Sequence, residues 1–111
     1  MKKDPNIFIH HILESIDLIE KYSKNTTQAQ FLKKSSMQDA IIRRLEIIGE
    51  AVKNLPDSFR AKHVDVPWKK IAGMRDVLIH EYFDVDLALT WKVVKVELPA
   101  IKKKLSSLLE D

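Results

Sequence analysis

Residues 87–109 read LALTWKVVKVELPAIKKKLSSLL, and Leu87, Trp91, Val94, Leu98, Ile101, Leu105 and Leu108 recur in alternating steps of four and three. That rhythm is the packing seam of a helix against other helices, whereas a strand would repeat every second residue. Asp86, just before the run, is a good N-cap. Pro99 lacks the N–H that would reach the Lys95 carbonyl, so a kink is expected inside this helix.

The same period extends through the rest of the chain. From Ser36 to about Asn54, Ile41, Leu45, Ile48, Val52 and Leu55 line one face and Arg43, Glu46, Glu50 and Lys53 the other, a polar stripe expected to face solvent or, alternatively, a second copy or a protein partner. Gly49 sits inside this helix, where its low propensity is best explained by close approach of another backbone. From Asn6 to Lys24, Phe8, Ile9, Ile12, Ile16 and Ile19 oppose His10, Glu14, Asp17 and Lys21. Ile7, Leu18 and Tyr22 widen that apolar arc, so the first helix is expected to touch more than one neighbour. Asn25-Thr26-Thr27 supplies caps for a short helix through Phe31 and Leu32. One turn around Phe59 is expected in the connection from Leu55 to Pro67, and a third long helix from Trp68 to about Tyr82. The fold class is therefore all-α: a single up-and-down bundle over residues 1–111, with four main helices and a short one.

Composition narrows the function. With 111 residues the chain has room for one core. It has no cysteine, which removes thiolate nucleophiles, disulfides and Cys-based metal sites. His10, His11 and His63 lack the spacing of a ligand set, so neither a metal nor a cofactor is expected. No run approaches the roughly 18 apolar residues of a membrane span, and no clean signal core follows Met1-Lys2-Lys3, so a cytoplasmic location is expected. The net charge of +3 permits nucleic-acid binding without requiring it. Lys69, Lys70, Lys92 and Lys95, with Lys102, Lys103 and Lys104, are the candidates for contact with an RNA backbone.

The third helix carries the chemistry. On a regular helix Arg75 falls in the middle of an apolar arc with Trp68, Ile71, Ile79 and Tyr82. A guanidinium there is a snorkelling arm, half of a structural ion pair, or part of a site. Asp76 and His80 stand at i,i+4, where a carboxylate can orient an imidazole and raise its pKa. Tyr82 comes seven residues after Arg75 and so nearly on its face; without more, it is a core or interface aromatic.

The stretch Arg75-Asp76-Val77-Leu78-Ile79-His80-Glu81-Tyr82, an R-x-x-x-x-H-x-Y pattern, resembles the signature of the HEPN domain superfamily, in the form of its HepT branch. The resemblance extends to Asp39-Ala40 and Arg43, to Leu45-Glu46-Ile47-Ile48-Gly49-Glu50-Ala51, to Pro67-Trp68-Lys69-Lys70-Ile71-Ala72-Gly73-Met74, and to Phe83-Asp84-Val85-Asp86. It implies a homodimeric, metal-independent endoribonuclease, the toxin of a type VII-like toxin–antitoxin pair. Arg75 and His80 match the catalytic pair of that branch, and Asp76 its customary polar neighbour. Tyr82 matches the residue adenylylated by the partner, a minimal nucleotidyltransferase antitoxin. The alternative is a non-catalytic module that binds a nucleotidyltransferase or a nucleotide. On an ideal helix five residues turn through about 500°, leaving Arg75 and His80 about 140° apart. Arg75 can reach around, the helix can loosen near His80, or two chains can complete one cleft; a symmetric dimer, which the broad apolar surface of the first helix also favours, is the expectation.

Overall fold

The structure, a computed structural model, describes residues 4–81 and 84–109; the side chains of Arg75, Val77, Ile79, His80, Glu81, Asp84 and Val85 are outside the described set. Helix α1 (Pro5–Ser23) opens on Asp4, whose carboxylate accepts the Asn6 N–H at 2.9 Å, with Pro5 in the first turn where no donor is needed. Its Ile9, Ile12, Ile16 and Ile19 are fully buried against Ile41, Leu45, Ile48 and Val52 of α3 (Ser35–Lys53), and this antiparallel pair is the spine of the core. Between them lies α2 (Gln28–Leu32), started by a reciprocal capping box of Thr27 and Gln30. Phe31 of α2 is wholly buried, and its ring stands 5.1 Å from that of Trp91.

Helix α4 (Asp57–Lys62) is the turn expected around Phe59. The Phe59 ring lies tilted against those of His63 and Trp68, at 4.7 Å and 6.2 Å between centroids, while the Trp68 Nε1–H donates to the His63 carbonyl at 2.9 Å. The polar end of the largest side chain in this corner is thereby satisfied as it is buried.

The expected third long helix is not one helix. It is α5 (Trp68–Ala72), then Gly73, then α6 (Met74–Leu78), followed by a short antiparallel ladder of β1 (Ile79–Glu81) and β2 (Asp84–Val85). Two contacts account for the break. Gly73, at φ −91° and ψ 2°, leaves the helical basin while its N–H still serves the Lys69 carbonyl. At the far end, the Leu78 carbonyl accepts the Asp86 N–H at 2.7 Å. In a continuing helix that carbonyl would serve residue 82. The all-α class stands, since the ladder spans only Ile79–Glu81 and Asp84–Val85.

The final rod begins with α7 (Leu87–Lys92), capped as expected by Asp86, whose carboxylate accepts the Leu89 N–H at 2.9 Å. It runs without leaving the helical basin into α8 (Leu98–Leu108), but residues Val93–Glu97 are wound as a π-helix. The Leu98 N–H reaches back five residues to the Val93 carbonyl. The disturbance expected from Pro99 thus takes the form of a wider turn just ahead of it, a way of relieving a missing donor within a helix.

Gly49 is buried under the end of α5. A Cβ at Gly49 would lie 3.1 Å from the Ala72 carbonyl oxygen and 3.7 Å from that of Ile71, so the close backbone approach expected from the sequence is present. Gly49→Val is expected to cost about 1–3 kcal/mol in urea unfolding through overpacking. Gly49→Ala, which gains up to about 1 kcal/mol of helix propensity against a single tight contact, should stay within about 1 kcal/mol of the parent. A valine variant as stable as the parent would contradict the close approach.

Candidate functional site

Arg75 and Asp76 lie in α6, and His80 lies in β1, beyond the helix end at Leu78. The relations drawn from one regular helix therefore do not hold. Asp76 and His80 are not i,i+4 neighbours on a helix, and the 140° separation of Arg75 from His80 no longer applies. Tyr82 is outside the described residues, as are the side-chain positions of Arg75 and His80. Asp76 is exposed. On the inner side of α6, Met74 and Leu78 are buried and anchor the segment to the core.

The segment that carries the motif is held at its base by Asp86. Its N–H closes onto the Leu78 carbonyl, its carboxylate caps α7, and its own carbonyl accepts the Thr90 hydroxyl at 2.7 Å. The Leu78–Asp86 bond thus joins the end of α6 to the start of α7.

Beside α6 is a groove of about 510 Å³. Phe8 and His11 of α1 form one wall, Arg43, Glu46 and Glu50 of α3 the other, and Ala72 and Asp76 close the end next to the motif. Arg43 stands 4.0 Å from Glu46. The polar stripe of α3, expected to face open solvent, thus lines a concavity that ends at the residue following Arg75. Sequence reasoning missed this. The signal was Gly49: a backbone packed on position 49 must overhang positions 46 and 53, its i−3 and i+4 neighbours on the helix surface.

The lysine candidates divide. Lys69 and Lys92 are exposed. Lys70 pairs with Glu97, and Lys95 donates to the Ser23 carbonyl at 3.2 Å while its Nζ stands 4.8 Å from the Trp91 ring centroid. Lys102 bridges to Asp17 at 2.9 Å and to Glu20 at 3.1 Å, and these hydrogen bonds, Asp17 first, raise its pKa above the ordinary value. Lys104 donates to the Asp65 carbonyl at 2.9 Å. Among the described residues no three His, Asp or Glu side chains gather to hold a metal ion, and no helix is long and apolar enough to cross a membrane.

Compared with known families, residues 12–108 match the model of the HepT-like ribonucleases. The chain belongs to the HepT-like ribonuclease family. It is 53% identical over 111 residues to a Methanocaldococcus jannaschii protein whose name joins a gamma-glutamylcyclotransferase with a candidate RNase; the match takes in all of this chain and 50% of that relative. A protein of Thermococcus cleftensis, named a probable ribonuclease HepT, is 44% identical over 108 residues, covering 97% of this chain and 98% of its own length. An RNase-named protein of Caldanaerobacter subterraneus is 44% identical over 108 residues, with 97% and 96% covered. The chain thus spans half the length of the first relative and nearly the whole of the other two. No solved structure matches it. The HepT-like family match takes in α1 from Ile12, all of α3 and the whole motif segment, so Arg75, His80 and Tyr82 lie within the matched region.

Asp86→Ala removes the carboxylate cap and keeps the main-chain clasp, and is expected to cost about 1 kcal/mol in urea unfolding. Asp86→Pro removes the clasp donor too and should cost more. Equal losses would show that the Leu78–Asp86 bond contributes nothing.

Proposed function

We propose that this HepT-like chain is a metal-independent endoribonuclease, the toxin of a type VII-like toxin–antitoxin pair, working as a homodimer in the cytoplasm. The observation that carries the reading is the motif Arg75-x-x-x-x-His80-x-Tyr82 inside a family match over residues 12–108. Two relatives of nearly the same length carry ribonuclease names, which supports RNA as the substrate.

The side chains suffice for the reaction. RNA carries its own nucleophile, the 2′-hydroxyl. His80, near neutrality, takes the 2′-proton. The 2′-oxygen attacks phosphorus, the bond to the 5′-oxygen breaks, and the products are a 2′,3′-cyclic phosphate and a 5′-hydroxyl. Arg75 offers a permanently charged fork to the phosphoryl oxygens as negative charge builds on them. The leaving 5′-oxygen departs opposite the attack and needs a proton from the far side. A symmetric dimer supplies a second imidazole for that, which is the chemical reason to place the site between protomers. Asp76, next to Arg75, acts as a positioning residue.

Tyr82 is the point of control. Its adenylylation by a minimal nucleotidyltransferase partner transfers AMP from ATP to the phenolic oxygen and releases pyrophosphate. The new phosphodiester brings negative charge and bulk two residues from His80, where it would compete with RNA phosphate for Arg75.

Purified chain incubated with total RNA or tRNA in EDTA is expected to cleave, and His80→Ala or Arg75→Ala to lower the rate by at least about 10². Loss of wild-type cleavage on chelation would remove the metal-independent mechanism. Intact mass after incubation with the cognate nucleotidyltransferase and ATP is expected to rise by one AMP in wild type and not in Tyr82→Phe. A gain persisting in Tyr82→Phe would reject that residue.

A further inference from the structure

The groove between α1, α3 and α6 has no role in the chemistry above, and its lining is not that of a phosphate site. Glu46, Glu50 and Asp76 line it together with Arg43, Lys53 and His11, a mixed set of hydrogen-bond donors and acceptors rather than an all-cationic cradle. A base edge has needs of that mixed kind. Carboxylates accept from ring and exocyclic N–H groups, and a guanidinium fork donates to paired ring acceptors.

We infer that this groove is a guanine-binding subsite of the ribonuclease, receiving a base of the RNA strand whose phosphate lies at the motif. The inference rests on the ribonuclease reading and adds a specificity to it. Guanine presents both complements at once: O6 and N7 as acceptors for a fork such as Arg43, and N1–H and N2–H₂ as donors for a carboxylate such as Glu50. Uracil offers no exocyclic amino group to Glu50. The two residues lie seven apart on α3 and so on one face, with Glu46 between them at 4.0 Å from Arg43. Phe8, half-buried on the opposite wall, supplies an aromatic surface for the base, the usual partner of an unstacked base in single-stranded RNA. The cavity, at about 510 Å³, is within the range of small-molecule sites. Asp76, which lines the groove, follows Arg75 directly in α6.

The test uses the full chain and two readouts. Cleavage ends are mapped on a set of single-stranded RNAs that differ only in the position of one guanosine in a uridine background. Binding of guanosine 3′-monophosphate and of uridine 3′-monophosphate is followed by NMR. Wild type is expected to cut next to the guanosine and to bind the guanosine nucleotide the more tightly. Glu50→Gln, and separately Arg43→Ala, should lower kcat/KM at guanosine and the affinity for its nucleotide by about tenfold or more each, leaving cuts in uridine runs little changed. Cleavage indifferent to the base, or a pattern and affinity unmoved by both substitutions, overturns the subsite and leaves the ribonuclease reading standing. So does an outcome in which the variants shift only the monomer–dimer equilibrium, since the groove would then be an interface between copies. Guanosine nucleotide binding that is lost in Glu50→Gln, in a chain that cuts no RNA, would uphold the groove and sink the ribonuclease reading.

Discussion

The carbonyl end of α5 lies on α3 at a place with no side chain, and the placement of the motif depends on that contact. With a Cβ at position 49 the Ala72 oxygen would be 3.1 Å away, tight enough that a neighbour must give by a few tenths of an ångström, and a larger side chain would find no room. Because the contact is backbone on helix surface, it sets where α5 ends as well as how close it comes. Gly73 turns the chain immediately afterwards, and α6 restarts with Met74 and Leu78 turned into the core. The helix bearing Arg75 and Asp76 is thereby held beside the polar stripe of α3. A bulkier residue at 49 would displace the motif and the groove together, since both are measured from the same point.

A second constraint acts from the other side. Asp86 ends one element and begins another, clasping Leu78 with its N–H and capping α7 with its carboxylate. Had α6 continued, Arg75 and His80 would have been fixed about 140° apart on one rigid rod. Ending the helix at Leu78 frees His80 from that geometry while the clasp keeps both ends of its segment anchored. A motif that straddles a helix end in this way can orient its two members independently, as the proposed roles of Arg75 at phosphate and His80 at the 2′-oxygen would require.

Much of this was legible in the sequence because helix periodicity reports burial directly. Ile9, Ile12, Ile16 and Ile19, Ile41, Leu45, Ile48 and Val52, and Leu98, Ile101 and Leu105 are where the spacing put them, inside. Asp86 and Thr27 cap as their residue types suggest, and Gly49 meets the backbone its position implied. What periodicity could not show is where a pattern stops being a helix. From Trp68 to Tyr82 the apolar spacing suits one continuous helix, yet Gly73 and the competition of the Asp86 N–H for the Leu78 carbonyl break it. The first is a local weakness whose outcome depends on what packs nearby, and the second is a contact between residues eight apart. The groove escaped for a related reason. A polar stripe looks the same whether it faces water or a concavity, and only the overhang of α5 and α6 distinguishes the two.

A surplus of three positive charges on 111 residues is small for the RNA binding proposed above, and four lysines are engaged within the fold. Lys70, Lys95, Lys102 and Lys104 each meet an acid, a carbonyl or a ring of the same chain, joining segments that the apolar core alone would leave to slide. Lysines used in this way cannot also track a phosphate backbone without giving up those contacts. Under the proposed function, a few directed contacts would supplement counter-ion release in binding RNA, and the proposed twofold dimer would double them. The modest net charge, the mixed lining of the groove and the call for a second imidazole all favour recognition at a small, shaped site over a broad basic face.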